Sequence, residues 1–264
     1  MISSDVPLKN AMKAKMEAGQ LVVGMIVRIM RGVEIAAIAK SAGFDSLYID
    51  LEHCSFSTET ISAICMTAVG LGVTPLVRLP GLDKAEISRT LSIGAQGIIV
   101  PHIESRDEIE LAVEAAKFAP IGDRSLLGMN HATLFRSLPA KETMRRMNEE
   151  TLVVSMIESA KAVENVDEIA AVEGVDMLFV GTNDLCGSFG VPGEHDHPRI
   201  REAYEHIATV CRARGKHLGV GGLNARPDIA QEIFKLGARY MSAGSDTGFL
   251  MSGASAAAKT FRWA

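Results

Sequence analysis

The sequence predicts a (β/α)₈ barrel, and three observations predict it. Short runs of β-branched and aliphatic residues alternate with longer, alanine-rich amphipathic stretches. There are eight such runs, the strand number of this barrel, in a chain of 264 residues that is 47% apolar. The runs are apolar on both faces, as strands are when helices cover a parallel sheet.

In chain order, Leu8, Met12 and Met16 recur at intervals of four and predict a short amphipathic leading helix. The strands are expected at residues 21–27, 46–51, 74–78, 97–101, 152–157, 177–181, 217–221 and 240–244. Between them lie the helical patterns "EIAAIAKSAG", "TETISAICMTAVGLG", "DKAEISRTLSIGA", "RDEIELAVEAAKFA" and "PDIAQEIFKLGA", several reaching a glycine at the expected C-terminal stop. A doubly wound open sheet is the rival. It would carry a glycine-rich phosphate turn after the first strand, where this chain has "RIMRGVE". Residues 120–150 begin irregularly as "PIGDRSLLGMNHATLF" and then look helical. They read as a long βα loop on the active face, a lid or specificity element, or else as a surface insertion. No low-complexity linker divides the chain, so residues 1–264 are expected to form one barrel domain.

The net charge of −5 argues against nucleic acid or an anionic membrane as the main partner. No apolar run approaches the ~20 residues of a membrane span. The opening "MISSDVPLKNAMKAKMEAGQ" lacks the apolar region of a secretory signal. Four cysteines without a C-x-x-C pair are expected to be reduced, in a cytoplasmic protein. Cys54 adjoins His53, but neighbours in an extended chain face opposite ways, so Cys54 reads as a packing residue.

Barrel active sites lie at the C-terminal ends of the strands, so the residues that follow each strand carry the functional reading. Asp50, Glu52 and His53 follow the second strand, Arg78 ends the third, His102 follows the fourth, Glu158 ends the fifth and Asp184 follows the sixth. Glu158 and Asp184 at neighbouring strand ends would repel each other in a half-buried cup unless one pKa rises or a cation neutralises them. Few, oxygen-only protein ligands is the Mg²⁺ or Mn²⁺ pattern, with Co²⁺ also accommodated. Arg78 suits an oxyanion and His53 a proton transfer near neutral pH. Metal, arginine and histidine together describe enolate chemistry on a 2-oxo acid. Each residue also has a structural alternative: a helix cap for the acids, a pairing with Asp50 or Glu52 for Arg78, a satisfied polar contact for His53.

Other features compete. A Schiff-base aldolase needs a lysine at a strand end, and the nearest candidate is Lys161 in the following helix. The turns "GVGG" and "AGSDTG" allow a phosphate cradle and a phosphosugar enzyme. "GEHDHPRI" carries Glu194, His195, Asp196 and His197 and reads as a solvated loop and helix cap rather than a zinc site. Arg28 and Arg31 after the first strand either meet the distal carboxylate of a larger substrate or form an exposed pair.

Over nearly its whole length the chain resembles the HpcH/HpaI aldolases, the metal-dependent class II pyruvate aldolases. The matching words are "AGFDSLYIDLEH", "PLVRLPG", "IGAQGIIVP", "FAPIGDR", "MIES", "VEGVDMLFVGTNDL" and "LGARYMSAGSDTGFL". The resemblance implies Glu158 and Asp184 as ligands of a divalent metal, His53 as the catalytic histidine and Arg78 as the oxo-acid arginine. It places the substrate carboxylate at Gly181, Thr182 and Asn183, with Arg124 in the lid. The implied reaction is reversible cleavage of a 4-hydroxy-2-oxo acid to pyruvate and an aldehyde. The implied assembly is a homotrimer or hexamer that exchanges C-terminal helices. The chain departs from the pattern at Ser92, where the family has an aspartate paired with the histidine. Met156 replaces a glutamine, and Thr182 replaces a proline. An oxo-acid decarboxylase, another enolate-forming lyase, or a non-catalytic sensor of a metal–oxo-acid complex fits the same residues.

Overall fold

A computed structural model describes residues 9–262. Its strands are β1 (Val22–Val27), β2 (Ser46–Asp50), β3 (Thr74–Arg78), β4 (Gly97–Val100), β5 (Leu152–Ile157), β6 (Met177–Gly181), β7 (His217–Gly221) and β8 (Tyr240–Ser245). Each pairs in parallel with the next, and β8 pairs with β1, so the sheet closes in sequence order into a (β/α)₈ barrel. Each strand lies within one residue of its expected bounds.

Two apolar layers hold it. Side chains pointing outward from the strands, such as Leu47, Ile49, Val77, Ile98 and Val153, are buried against the surrounding helices. Inward-pointing Tyr48, Leu76, Ile99, Val154, Met156, Phe179 and Tyr240 fill the barrel. This is the packed interior expected of such a barrel, not a pore. Phe179 touches Tyr48 and Tyr240, with ring centroids 5.9 and 5.7 Å apart. Those rings need small neighbours: a Cβ on Gly24 would collide with the Tyr240 hydroxyl.

The leading helix α1 (Ala11–Glu17) forms as expected and stoppers the N-terminal mouth. Met12 and Met16 are buried against the barrel interior, and the Met12 N–H donates to Thr74 Oγ1 (3.1 Å). Leu8 lies outside the described residues. The remaining helices are α2 (Glu34–Ser41), α3 (Thr58–Gly70), α4 (Lys84–Ser92), α5 (Arg106–Ala116), α6 (Ala140–Glu150), α7 (Ala160–Glu164), α8 (Val166–Ala170), α9 (Thr182–Ser188), α10 (Pro198–Arg214), α11 (Pro227–Leu236) and α12 (Asp246–Thr260). Side-chain caps at Ser57, Asp83, Ser105 and Ser245 start α3, α4, α5 and α12, and Ser105 forms a capping box with Glu108.

The placement of residues 120–150 needs correction. Helix α5 precedes this segment and has already carried the chain back to the N-terminal mouth. The segment is therefore an αβ connection, ending in α6, and not a βα loop on the active face. Nearby, Lys117 is buried, with Nζ donating to the carbonyls of Asn148 and Thr151 and to Asp176 Oδ2. Burial lowers its pKa, but it sits at the foot of β5 and β6. Lys161 is exposed and paired with Glu104. Lys117 is thus at the N-terminal end of the barrel, and Lys161 does not line the cup at the C-terminal mouth where a Schiff-base nucleophile would stand.

Candidate active site

The site begins with the exit of β2. Asp50 and Glu52, two apart, face the same way and both turn towards the end of β3. Asp50 is fully buried and accepts from Arg78 Nε (3.0 Å) and Nη2 (2.6 Å); Arg78 Nη1 lies 2.6 Å from Glu52 Oε2. Burial pushes the Asp50 carboxyl up, but Arg78 and Arg28 outweigh it and hold the group below the usual aspartate value. Two Arg78 N–H groups are spent on Asp50 and Nη1 is ion-paired with Glu52, so part of the guanidinium's donor capacity is left for the cup it lines.

From Glu52 the network continues to His102. Its Nε2 lies 2.9 Å from Glu52 Oε1 and its Nδ1 2.9 Å from Glu158 Oε1, while its backbone N–H donates to the same Glu158 oxygen (2.7 Å). His102 adopts a φ of 58°, a left-handed conformation uncommon outside glycine, and these three contacts hold it there. Glu158 is thus fixed through one oxygen. The other, Oε2, is buried without a hydrogen-bond partner and faces Gly181. Burial raises the Glu158 pKa, and the negative charges of Glu52 and Asp184 push the same way.

Asp184 projects from the first turn of α9 into the same cup of about 330 Å³, lined also by His53, Arg78, Gly181, Thr182 and Asn183. Six of the eight expected site residues therefore line this cup, and a seventh, Glu158, adjoins them at Gly181. Thr182 is buried, its hydroxyl 2.6 Å from both Tyr204 Oη and the Gly221 carbonyl. His53 is exposed, anchored through its backbone N–H to Asp50 Oδ1 (3.3 Å). Burial raises the Cys54 thiol pKa, the wrong direction for a nucleophile. Met156 lies on the floor of the cup beside Tyr48 and Phe179.

The donor set fits a divalent cation. A buried carboxylate oxygen without a partner, with two further acids nearby, lacks a positive charge. Among the described residues no three His, Cys, Asp or Glu side chains converge as a metal cluster. Glu158 and Asp184 could hold an ion that takes its other ligands from water and substrate, the habit of Mg²⁺.

The model of the HpcH/HpaI aldolase/citrate lyase family matches residues 31–253. The chain belongs to that family. It is 35% identical to the 4-hydroxy-4-methyl-2-oxoglutarate aldolase tasA of Hapsidospora irregularis, over 94% of this chain and 93% of that protein. It is 32% identical to the 5-keto-4-deoxy-D-glucarate aldolase of Escherichia coli (strain K12), over 96% of this chain and 97% of the relative. The solved HpcH/HpaI aldolase from Desulfitobacterium hafniense DCB-2 superposes with a TM-score of 0.89 at 31% identity, covering 94% and 95% of the two chains. These relatives make the chain a carbon–carbon lyase of an aldolase family.

Two residues expected from the HpcH/HpaI pattern lie elsewhere. Arg124 is buried at the N-terminal mouth, stacked over Phe118 with Nη2 3.4 Å from Ser92 Oγ, in a separate cavity of about 40 Å³. Burial lowers its pKa to about 10. Within one chain it is not a substrate contact, because its segment follows α5. Ser92 ends α4 at the same mouth, its hydroxyl donating to the Ser88 carbonyl (2.7 Å), and does not meet His53. The "GEHDH" loop behaves as a loop and cap. His197 accepts from the Arg199 N–H, and His195 Nε2 donates to Asn183 Oδ1 (3.0 Å).

Sequence reasoning did not give Asp246 a role. This buried residue of "AGSDTG" accepts from the backbone N–H groups of Arg28, Ile29, Met30 and Thr247. A carboxylate held beside that turn disfavours the phosphate-cradle reading. The signal available was the aspartate itself, since a phosphate cradle seldom places an acid at its centre.

Proposed function

We propose that this chain is a divalent-metal-dependent aldolase that reversibly cleaves a 4-hydroxy-2-oxo acid to pyruvate and an aldehyde. One observation carries the reading: Glu158 presents a buried, unpartnered oxygen at the edge of the cup that Asp184, Arg78 and His53 line. The relatives named as oxo-acid aldolases support it.

Glu158 and Asp184 would hold Mg²⁺, Mn²⁺ or Co²⁺, which when bound polarises the 2-oxo group and neutralises the acids. Gly181, Thr182 and Asn183 line the cup where α9 begins and receive the 1-carboxylate. His53 takes the proton from the 4-hydroxyl. The C3–C4 bond breaks, its electron pair moves towards the 2-oxo oxygen, and the aldehyde departs. Arg78 directs its remaining N–H groups at the oxygen where charge grows. A proton returned to C3 completes pyruvate. The aromatic floor of Tyr48 and Phe179 keeps the cup dry from below, where charge interactions are strongest.

Decarboxylation of an oxo diacid is the second reading. His53 carries no side-chain hydrogen bond among the described residues, and Ser92 lies at the opposite mouth. Loss of CO₂ needs no proton abstraction, so it tolerates an unassisted histidine. The assembly is proposed to be a homotrimer or hexamer. Phe249, Leu250 and Met251 on α12 expose apolar surface that a second copy would cover. No helix among the described residues is long and apolar enough to cross a membrane.

The deciding experiment is metal titration. EDTA is expected to abolish cleavage of 4-hydroxy-2-oxo acids and Mn²⁺ or Mg²⁺ to restore it, while Glu158→Ala no longer binds the ion by calorimetry. Undiminished metal binding by that variant would overturn the assignment.

A further inference from the structure

We propose that Arg28 is the residue of this cup that selects for a second, distal carboxylate on the oxo-acid substrate. This rests on the oxo-acid reading of the site given above.

The barrel order supplies the first reason. With eight strands closed in sequence, β1 stands across the barrel from β5 and close to opposite β6. Glu158 and Asp184 follow β5 and β6, and Arg28 follows β1. A 2-oxo acid whose head lies at Glu158, Asp184 and Gly181 therefore points its far end towards Arg28, which lines the same cup.

The bonding of Arg28 supplies the second. Its backbone N–H donates to both oxygens of Asp246 (3.1 Å each), which fixes where the side chain starts. Its Nε donates to Asp50 Oδ2 (3.1 Å). Its two terminal nitrogens have no hydrogen-bond partner among the described residues, and the side chain is 39% exposed. Asp50 spends its shorter bonds on Arg78, at 2.6 and 3.0 Å. The result is a guanidinium aimed by one edge with the other edge free, the form that takes a carboxylate through two parallel N–H bonds.

Arg31, the other arginine of this turn, differs. Its Nη1 and Nη2 donate to the carbonyls of Arg28 and Ser55, and it stacks 3.8 Å over Phe56. It braces the β2–α3 loop and does not line the cup, so the two arginines of "RIMR" have separate jobs.

The test compares 2-oxoglutarate with 2-oxopentanoate, which have the same five carbons and differ in the distal carboxylate. Calorimetric titration with Mn²⁺ present reads binding without needing turnover. The wild-type chain is expected to prefer 2-oxoglutarate by about tenfold or more. Arg28→Met is expected to bring that ratio close to one, and Arg28→Lys to keep part of it. An unchanged ratio in Arg28→Met overturns the proposal. So does an equal weakening of both acids, which would assign Arg28 to orienting Asp50 alone. A wild type that binds both acids equally overturns the role of Arg28 and leaves the oxo-acid reading standing. If neither acid binds with metal, the reading of the site fails and takes this proposal with it.

Discussion

At the scale of residues, His102 and Gly181 both act on the free oxygen of Glu158 without being ligands. His102 holds the opposite oxygen through a ring nitrogen and its backbone N–H. Partners of this kind typically change metal affinity 10–100-fold. His102→Asn tolerates the positive φ, so it isolates loss of the ring. It is expected to weaken Mn²⁺ binding at least about tenfold by calorimetry; unchanged affinity would remove the positioning role. Gly181 acts by absence. A Cβ there would sit 3.1 Å from Glu158 Oε2 and 3.2 Å from Glu158 Cβ. Gly181→Ala should displace the carboxylate by a few tenths of an ångström and weaken metal binding by about tenfold, roughly 1.4 kcal/mol. Neither effect was legible from the sequence. That Asp184, Arg78 and His53 meet at one mouth, with Glu158 adjoining, was legible because strand ends are countable and polar residues stand out there. Which oxygen His102 occupies depends on a backbone twist and on Glu52 arriving from another strand, and spacing along the chain encodes neither.

At the scale of elements, the join between α12 and the β1–α2 turn depends on one carboxylate. Burial raises the Asp246 pKa, but the N–H groups of Met30, Ile29, Arg28 and Thr247 outweigh it and leave it below the ordinary value. A lowered folded pKa stabilises above the unfolded carboxyl value, near 3.9, and that contribution drains away as pH falls through the lower folded value. Wild type is therefore expected to lose melting temperature between about pH 5 and pH 3 more steeply than Asp246→Asn, which has no charge to lose. Parallel melting curves across that range would refute the linkage. Asp246→Ala leaves buried N–H groups unpaired and is expected to cost about 3 kcal/mol in urea unfolding. This element also shows where pattern reading fails. The helix of residues 106–116 was legible from its periodicity, yet the segment after it was assigned to the wrong mouth. Counting strands gives the order of loops, but a loop's face depends on whether a helix has already run back along the barrel. Arg124 followed that error, whereas Ser92 was set beside the histidine by the family resemblance alone.

At the scale of the whole molecule, the barrel was legible almost to the residue, because each strand is apolar on both faces and each helix on one. Helix α12 leaves Phe249, Leu250 and Met251 43%, 59% and 61% exposed, an apolar face that the proposed assembly would cover. Analytical ultracentrifugation is expected to give three or six times the mass of one chain, and Leu250→Glu to shift it towards one. A monomeric wild type would refute the proposed assembly.

The methionine stopper of α1 has a kinetic corollary. With Met12 and Met16 filling the N-terminal mouth and aromatic rings beneath the cup, the described residues leave the well open at its C-terminal mouth. Whatever is seated deepest must depart last. An oxo acid anchored at the bottom would be trapped behind its aldehyde, so products leave in a set order. Pyruvate should then compete with the cleaved substrate in product-inhibition kinetics, while the aldehyde should show a noncompetitive pattern.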